Sequence, residues 1–388
     1  MKIGIFTDTY FPQVSGVATS IQTLKEELED NGHEVTIFTT TDPHANEEEE
    51  KDIVRFTSIP FFSFKDRRVA IGGKHQALKM ARQLGLEMIH TQTEFSLGLT
   101  GKYVAEQMRI PCVHTYHTLY ERYLHYVAKG KILRPSHVKI MSKYFCNQTD
   151  GIIVPSEKTK QILLSYGVSQ KIAVIPTGVN LKKLSAKSDR DIRCELNISA
   201  HNIVLLSLSR LAEEKNIEAL LHAMPEILRR YPSAKMLVVG DGPNRMALEQ
   251  LSEDLSLKEA LYFVGEVKSS EVNAYYQAAD LYVNASSSET QGLTYIEAIA
   301  AGTAIIAKDC SYTNMLIYSG DFGATYHTDK ELAQTVIQYL EKSHSENQEA
   351  IERKHLLQAI SSEVFAEEVM DFYETVLDTY TWDKEFSS

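Results

Sequence analysis

The sequence predicts an α/β protein made of two Rossmann-like domains that face a central cleft. Three observations lead there. Short apolar runs alternate with helix-patterned segments from the first residue, the signature of parallel sheets. The same alternation restarts near Ile203. The length of 388 residues exceeds what one compact core organises and suits two domains of about 150–200 residues each.

In chain order, residues 2–7 form a short buried strand. A loop holding Pro12 and Gly16 follows. A helix comes next, with Val17, Ile21, Leu24 and Leu28 at helical spacing, closed by Gly32. Residues 35–40 are the next strand and 42–52 a solvated acidic loop. Further strands are expected at 88–90, 112–116, 151–154 and 172–175. The polar stretch 180–200 carries no strand pattern and is read as the interdomain linker. Its Asp189-Arg190-Asp191 follows no strand and is read as decoration, not as a metal site. The second domain runs through a strand at 203–209, a helix from near Asn216, and strands at 236–240, 261–265 and 281–286. From Glu363 onward Val364, Phe365, Val369, Phe372, Tyr373, Val376 and Leu377 share one helical face, so the tail helix must dock. The expected division is 1–185, 186–362 and a tail helix 363–388.

Composition excludes several classes. Hydrophobic residues at 43% and charged residues at 24% rule out wholesale disorder. No apolar run reaches the roughly 18–20 residues of a membrane span. Asp8 interrupts the start too early for a signal-peptide core, and the four cysteines show no paired spacing, so a cytoplasmic protein without disulfides is expected. The net charge of −12 argues against nucleic-acid binding. That charge is uneven: residues 1–185 hold 23 Lys and Arg against 19 Asp and Glu, whereas the remainder holds 17 against 33. The first half is therefore the side that meets something anionic.

In open α/β sheets ligands bind outside the carboxyl ends of the strands, so the loops there hold the candidates. Gly16 stands between the first strand and helix, where backbone amides can approach a phosphate or where the chain simply turns tightly. Arg210 and Lys215 leave the strand at 203–209; they can clamp a diphosphate without a metal, or pair with Glu213 and Glu214 in a solvated loop. In the segment 286–302 Glu289 precedes Gly292 and a helix that carries Glu297. Two carboxylates so placed can accept from different hydroxyls of an elongated ligand, and the amides of Gln291, Gly292, Leu293 and Thr294 suit a phosphate. The bland alternative is a capped helix start with Glu297 on a wet face. His117 ends the strand at 112–116, as a structural group or a catalyst. His90, His114 and Glu94 lie at strand ends without metal-ligand spacing, and no P-loop or GxSxG motif is present.

Residues 120–146 hold Arg122, Lys129, Lys131, Arg134, Lys139 and Lys143 against Glu121, interleaved with apolar side chains. The pattern fits a surface for anionic membrane lipid, or a basic helix facing solvent or the other domain. Residues 64–82 add Lys65, Arg67, Arg68, Lys74, Lys79 and Arg82 against Asp66.

Together KIGIFTDTYFPQVSGVATSIQTL, HTYHTLYE, IPTGVN, SRLAEEKN, VVGDGP and ETQGLTYIE, in this order, resemble the retaining family-4 glycosyltransferases of the GT-B fold. The phrases SETQGLTYIEA and DTYFPQVSGV are most similar to the bacterial diacylglycerol α-glucosyltransferases within that family. The resemblance implies a GT-B architecture whose C-terminal helix crosses back to the N-terminal domain. It implies glucose transfer from UDP-glucose to diacylglycerol with retention, by front-side attack, at the cytoplasmic membrane face and without a metal. Arg210 and Lys215 would neutralise the diphosphate, Glu297 would hold the ribose, and Glu289 the 3- and 4-hydroxyls of the sugar. Gly16 and the amides of 292–294 would approach the phosphates, His117 the 6-hydroxyl, and Asp8 and Glu94 would line the acceptor side. Gln291 departs from the aromatic or apolar residue that many relatives carry there. A soluble or protein acceptor, a nucleotide-sugar epimerase and a non-catalytic sugar-binding module are the competing readings.

Overall fold

The computed structural model describes the chain apart from residues 14, 47–49, 62–63, 118–134, 287–288, 290, 318–321, 343–354 and 387–388, with the backbone alone at 64–67, 135, 311 and 381–386. The chain forms two compact units, Met1–Gly178 with Ser362–Ser388, and Val179–Ser361.

The first unit holds β1 (Lys2–Phe6), α1 (Gly16–Asp30), β2 (Glu34–Thr40), β3 (Ile53–Phe56), β4 (Ser58–Phe61), β5 (Phe64–Ala70), α2 (Lys74–Leu84) and β6 (Met88–Thr91). It continues with α3 (Ser96–Met108), β7 (Cys112–Thr115), α4 (Pro135–Cys146), β8 (Gly151–Val154), α5 (Glu157–Tyr166) and β9 (Ile172–Val174). Its sheet has the order β3-β2-β1-β6-β7-β8-β9, every pair parallel. The middle strands β6, β7 and β8 are buried along their whole length because helices cover both faces, and β6 and β7 take His90, Thr91, His114 and Thr115 into that interior. Strand order reverses between β1 and β6, which puts Asp8 and Gln92 at the switch point. The segment 64–82, read as a second basic stretch, folds as β5, antiparallel to β4, followed by α2.

The second unit holds α6 (Leu181–Ser185), α7 (Ile192–Glu195), β10 (Val204–Leu208), α8 (Ile217–Arg230), β11 (Lys235–Val239), α9 (Arg245–Asp254) and β12 (Leu261–Gly265). It then runs through α10 (Val272–Ala278), β13 (Leu281–Asn284), α11 (Leu293–Ala301), β14 (Ala304–Lys308), α12 (Ser311–Leu316), β15 (Gly323–Tyr326) and α13 (Leu332–Glu341). Its parallel sheet has the order β12-β11-β10-β13-β14-β15 and reverses between β10 and β13.

The stretch 180–200 differs from the expected linker. It is part of the second unit, with Ile192 and Ile198 buried in its core and Leu181, Leu184 and Leu196 packed alongside. The chain passes between units at Gly178/Val179, ahead of the expected 185/186, because Ile192 and Ile198 enter the second unit's core and Leu181 and Leu184 of α6 pack partly buried against it, apolar contacts that local polarity conceals. Asp191 caps α7, its carboxylate accepting from the Cys194 amide at 3.0 Å.

The tail forms α14 (Ser362–Phe386) and belongs to the first unit. Phe365, Val369, Phe372, Tyr373 and Val376 are buried against Ile3, Ile5, Ile21, Leu24 and Val113. Each such side chain contributes roughly 1.5–3 kcal/mol relative to exposure. Gly151 admits the helix, since a Cβ there would lie 2.8 Å from Phe372 and Val376. Among the described residues no helix is long and apolar enough to cross a membrane.

Candidate active site

In the second unit the loops after β10 and β11 are laced together. The Leu211 amide donates to the Asp241 carbonyl at 2.9 Å and the Asn244 amide to that of Leu211 at 3.0 Å. Gly240 lies at φ 126°, and a Cβ there would sit 2.0 Å from the Ser209 carbonyl oxygen. A Cβ at Gly242 would meet the Leu211 carbonyl oxygen at 2.4 Å. Only glycine permits this approach. The VVGDGP turn thus braces the loop that carries Arg210, a function for Gly240 and Gly242 that strand-end reasoning did not assign.

Lys215 closes a short 3₁₀ turn, Glu213–Lys215, capped by Asn216 in the left-handed region at φ 49°. Its Nζ meets Glu289 Oε1 at 2.6 Å, with the two side chains 21% and 19% exposed. The structure therefore joins Lys215 to a carboxylate 74 positions away. The two residues come from the loops after β10 and β13, the strands that flank the switch point.

Gly292, at φ 71°, precedes α11, and a Cβ there would fall 2.5 Å from the Tyr295 ring. The first amides of a helix have no intrahelical acceptor and carry its positive dipole end, so Leu293 and Thr294 present donors next to the Lys215–Glu289 pair's loop. Gln291 is buried and hydrogen-bonds Tyr312. Thr294 Oγ1 accepts from Tyr282 at 2.8 Å, and Tyr282 accepts from Asn284 at 3.0 Å. Glu297 accepts from the buried Tyr276 hydroxyl at 2.9 Å. Burial raises its carboxyl above the usual range, and the Tyr276 bond opposes that rise. Glu297 is half-buried, held on the Tyr276 side of α11. Tyr276 and Asn284, which orient this edge, escaped the sequence reading because lone polar residues in apolar runs carry no pattern.

In the first unit Gly16 is exposed as the first residue of α1, after Ser15 accepts from the Ala18 amide at 3.2 Å. Asp8 is buried, and its carboxylate accepts from Thr93 at 2.6 Å, from Ser96 and from the Leu97 amide at 3.1 Å. The acceptor-side expectation for Asp8 changes accordingly: its oxygens tie β1 to the first turn of α3. Glu94 lies 3.4 Å from the buried His114 Nε2. His117 is part-buried, and its Nε2 is 2.6 Å from Gln92 Oε1. Burial and the neighbouring His114 push His117 down to about 3, so its ring is neutral at physiological pH. His90 is buried between Tyr373 of α14 at 2.6 Å and Thr115 at 2.7 Å, and burial lowers it as well.

Of the basic residues expected at a lipid surface, Lys139 and Lys143 are exposed on α4, beside Ile140, Met141 and Tyr144 at 64%, 51% and 65% exposure. Phe95 and Leu99 are exposed at the start of α3. Arg122, Lys129, Lys131 and Arg134 lie outside the described residues. Among the described residues no group of His, Cys, Asp and Glu could hold a metal ion.

Residues 14–183 match the family described as Glycosyltransferase Family 4, and residues 188–355 the one described as Glycosyl transferases group 1. An "Alpha-monoglucosyldiacylglycerol synthase" of Streptococcus pneumoniae (strain ATCC BAA-255 / R6) is 46% identical over 378 residues, covering 96% of this chain and 85% of that protein. An "Alpha-monoglucosyldiacylglycerol synthase" of Acholeplasma laidlawii is 36% identical over 87% of each. Among solved structures, Anabaena Alr3699/HepE in complex with UDP and glucose superposes with a TM-score of 0.77 at 18% identity, covering 97% of this chain and 100% of that one; this likeness bears on the fold. With relatives of this kind the epimerase and the non-catalytic module are set aside. The chain belongs to the family-4 glycosyltransferases of the GT-B fold and is a hexosyltransferase.

Proposed function

We propose that the enzyme transfers glucose from UDP-glucose to diacylglycerol with retention, forming α-monoglucosyldiacylglycerol at the inner face of the cell membrane. The observation that carries this reading is the Lys215–Glu289 pair at the carboxyl edge of the second sheet, one step from the amide end of α11. It sets a cation for a phosphate beside a carboxylate for sugar hydroxyls, which is the charge pattern of a nucleotide sugar. The relatives at 46% and 36% identity, both monoglucosyldiacylglycerol synthases by name, support the glucose and the lipid acceptor.

In this mechanism Arg210, Lys215 and the amides of Gly292, Leu293 and Thr294 hold the diphosphate, Glu297 holds the ribose, and Glu289 the 3- and 4-hydroxyls. The bond between the anomeric carbon and the diphosphate oxygen breaks, and its electron pair leaves with UDP. The acceptor hydroxyl attacks from the same face and passes its proton to the departing phosphate. Electrostatic stabilisation of that phosphate carries the rate, worth about 10²–10³-fold per donor. Two fixed cations replace a divalent ion, so turnover persists in EDTA. His117, a neutral imidazole, accepts from a sugar hydroxyl and transfers no proton.

The lipid acceptor is supported by the exposed Lys139, Ile140, Met141, Lys143 and Tyr144 on α4, cations interleaved with apolar side chains. Each cation adds about 1 kcal/mol of attraction to an anionic surface. The deciding experiment offers UDP-glucose, UDP-galactose and UDP-N-acetylglucosamine with diacylglycerol in anionic vesicles and identifies the products. An α-glucosyl lipid made from UDP-glucose is expected; glucosylation of a soluble or protein acceptor, with none on lipid, would overturn the assignment.

A further inference from the structure

Gln92 follows β6 and His117 follows β7, neighbouring parallel strands in which Thr91 stands opposite His114. Gln92 is 3% exposed, and its own amide donates to the Phe6 carbonyl at 2.8 Å, which fixes it to the switch-point strand β1. Its side-chain oxygen faces His117 Nε2 at 2.6 Å. An amide oxygen only accepts, so the proton of a neutral imidazole in this contact sits on Nε2. The second ring nitrogen, Nδ1, is then left with a lone pair.

We infer that Gln92 is a positioning residue that sets the tautomer of His117, so that Nδ1 accepts a hydrogen bond from a hydroxyl of the substrate. The inference rests on the proposed function for the identity of that hydroxyl, but the tautomer itself does not. The groups around the ring agree with it. His90 on β6 is held by Tyr373 and Thr115, and His114 on β7 by Thr91 at 2.9 Å, with Glu94 beyond it. Neither histidine hydrogen-bonds His117, and both disfavour a second positive charge nearby.

The test combines ring 15N chemical shifts of histidine-labelled protein, assigned with His117→Asn, and the pH profile of transfer from UDP-glucose. Wild type is expected to show His117 protonated on Nε2 across pH 6–8. Gln92→Leu, lacking an acceptor, gives a mixture of tautomers and loses about tenfold in kcat. Gln92→Glu keeps an acceptor but favours the imidazolium, so it restores activity at high pH and introduces an acid limb absent from wild type. In the His117→Asn background neither Gln92 substitution has further effect and no limb appears. A proton on Nδ1 in wild type overturns the inference whatever the enzyme transfers. So do equal losses in Gln92→Leu and Gln92→Glu that add to that of His117→Asn. A correct tautomer in an enzyme that fails to use UDP-glucose overturns the proposed donor instead and leaves the Gln92 assignment standing.

Discussion

Removing one member of the Lys215–Glu289 pair separates a phosphate clamp from a structural ion pair. At 2.6 Å and an effective dielectric near 20 the gross attraction is about 6 kcal/mol, most of it offset by desolvation of side chains that are only about one-fifth exposed. A charged hydrogen bond of this kind nets about 2 kcal/mol. Lys215→Met therefore costs stability by about that amount, and Glu289→Gln costs less, because its amide oxygen still accepts. UDP affinity moves differently. If Lys215 clamps the diphosphate as proposed, Lys215→Met removes that cation and weakens UDP by about 10- to 100-fold. Glu289→Gln removes an anion beside the proposed phosphate site, so UDP binds as tightly as in wild type or more tightly, while transfer falls by about 10²–10³ because the sugar hydroxyls exchange a charged two-oxygen acceptor for one neutral amide oxygen. Calorimetric titration of UDP against both variants and the double variant, paired with turnover, reads the two effects apart. Equal weakening of UDP by both single substitutions, with full recovery in the double variant, would refute the clamp.

Four further outcomes are expected. Gly240→Ala forces a Cβ to within 2.0 Å of the Ser209 carbonyl oxygen at a positive φ, so it lowers stability by about 3 kcal/mol or more and displaces Arg210; a wild-type melting temperature would contradict the bracing of that loop. His117 titrates at about 3 when folded and near 6.5 when unfolded, so the unfolded chain takes up the proton first as pH falls. Stability is lost below pH 6.5, by about 2 kcal/mol between pH 7 and 5, and His117→Asn should flatten denaturation midpoints measured over that range by this difference. Ile140→Glu with Tyr144→Glu should abolish flotation with anionic vesicles while soluble UDP binding is retained, since both side chains are exposed and touch no core. Turnover in EDTA should match turnover in added magnesium or manganese, and collapse on chelation would refute the two-cation account.

Inner strands such as residues 151–154 and 236–239 were legible because parallel strands buried on both faces read as near-continuous apolar runs. The inner strand β14 and the edge strand β3 were not. β14 merges with the apolar helix before it, and only Gly302, in the left-handed region at φ 98°, marks where the helix stops. β3 follows an acidic loop and is only part-buried, so four residues carried too little pattern to stand out. The stretch 180–200 hides two short helices whose few apolar residues are spaced too sparsely for a helical stripe.

The sequence alone determined which chemistry was available: cations after the strand at 203–209, two carboxylates bracketing a glycine-led helix, and histidines at strand ends. Order along the chain carries that information, because strand, loop and helix are local. Which groups meet was decided by tertiary structure. Lys215 reaches Glu289 across 74 positions, His117 reaches Gln92 across 25, and Tyr373 reaches His90 across 283. Hydrogen bonds and ion pairs act over a few ångströms, and only the parallel pairing of β10 with β13, of β6 with β7, and the docking of α14 on the first sheet bring those atoms that close.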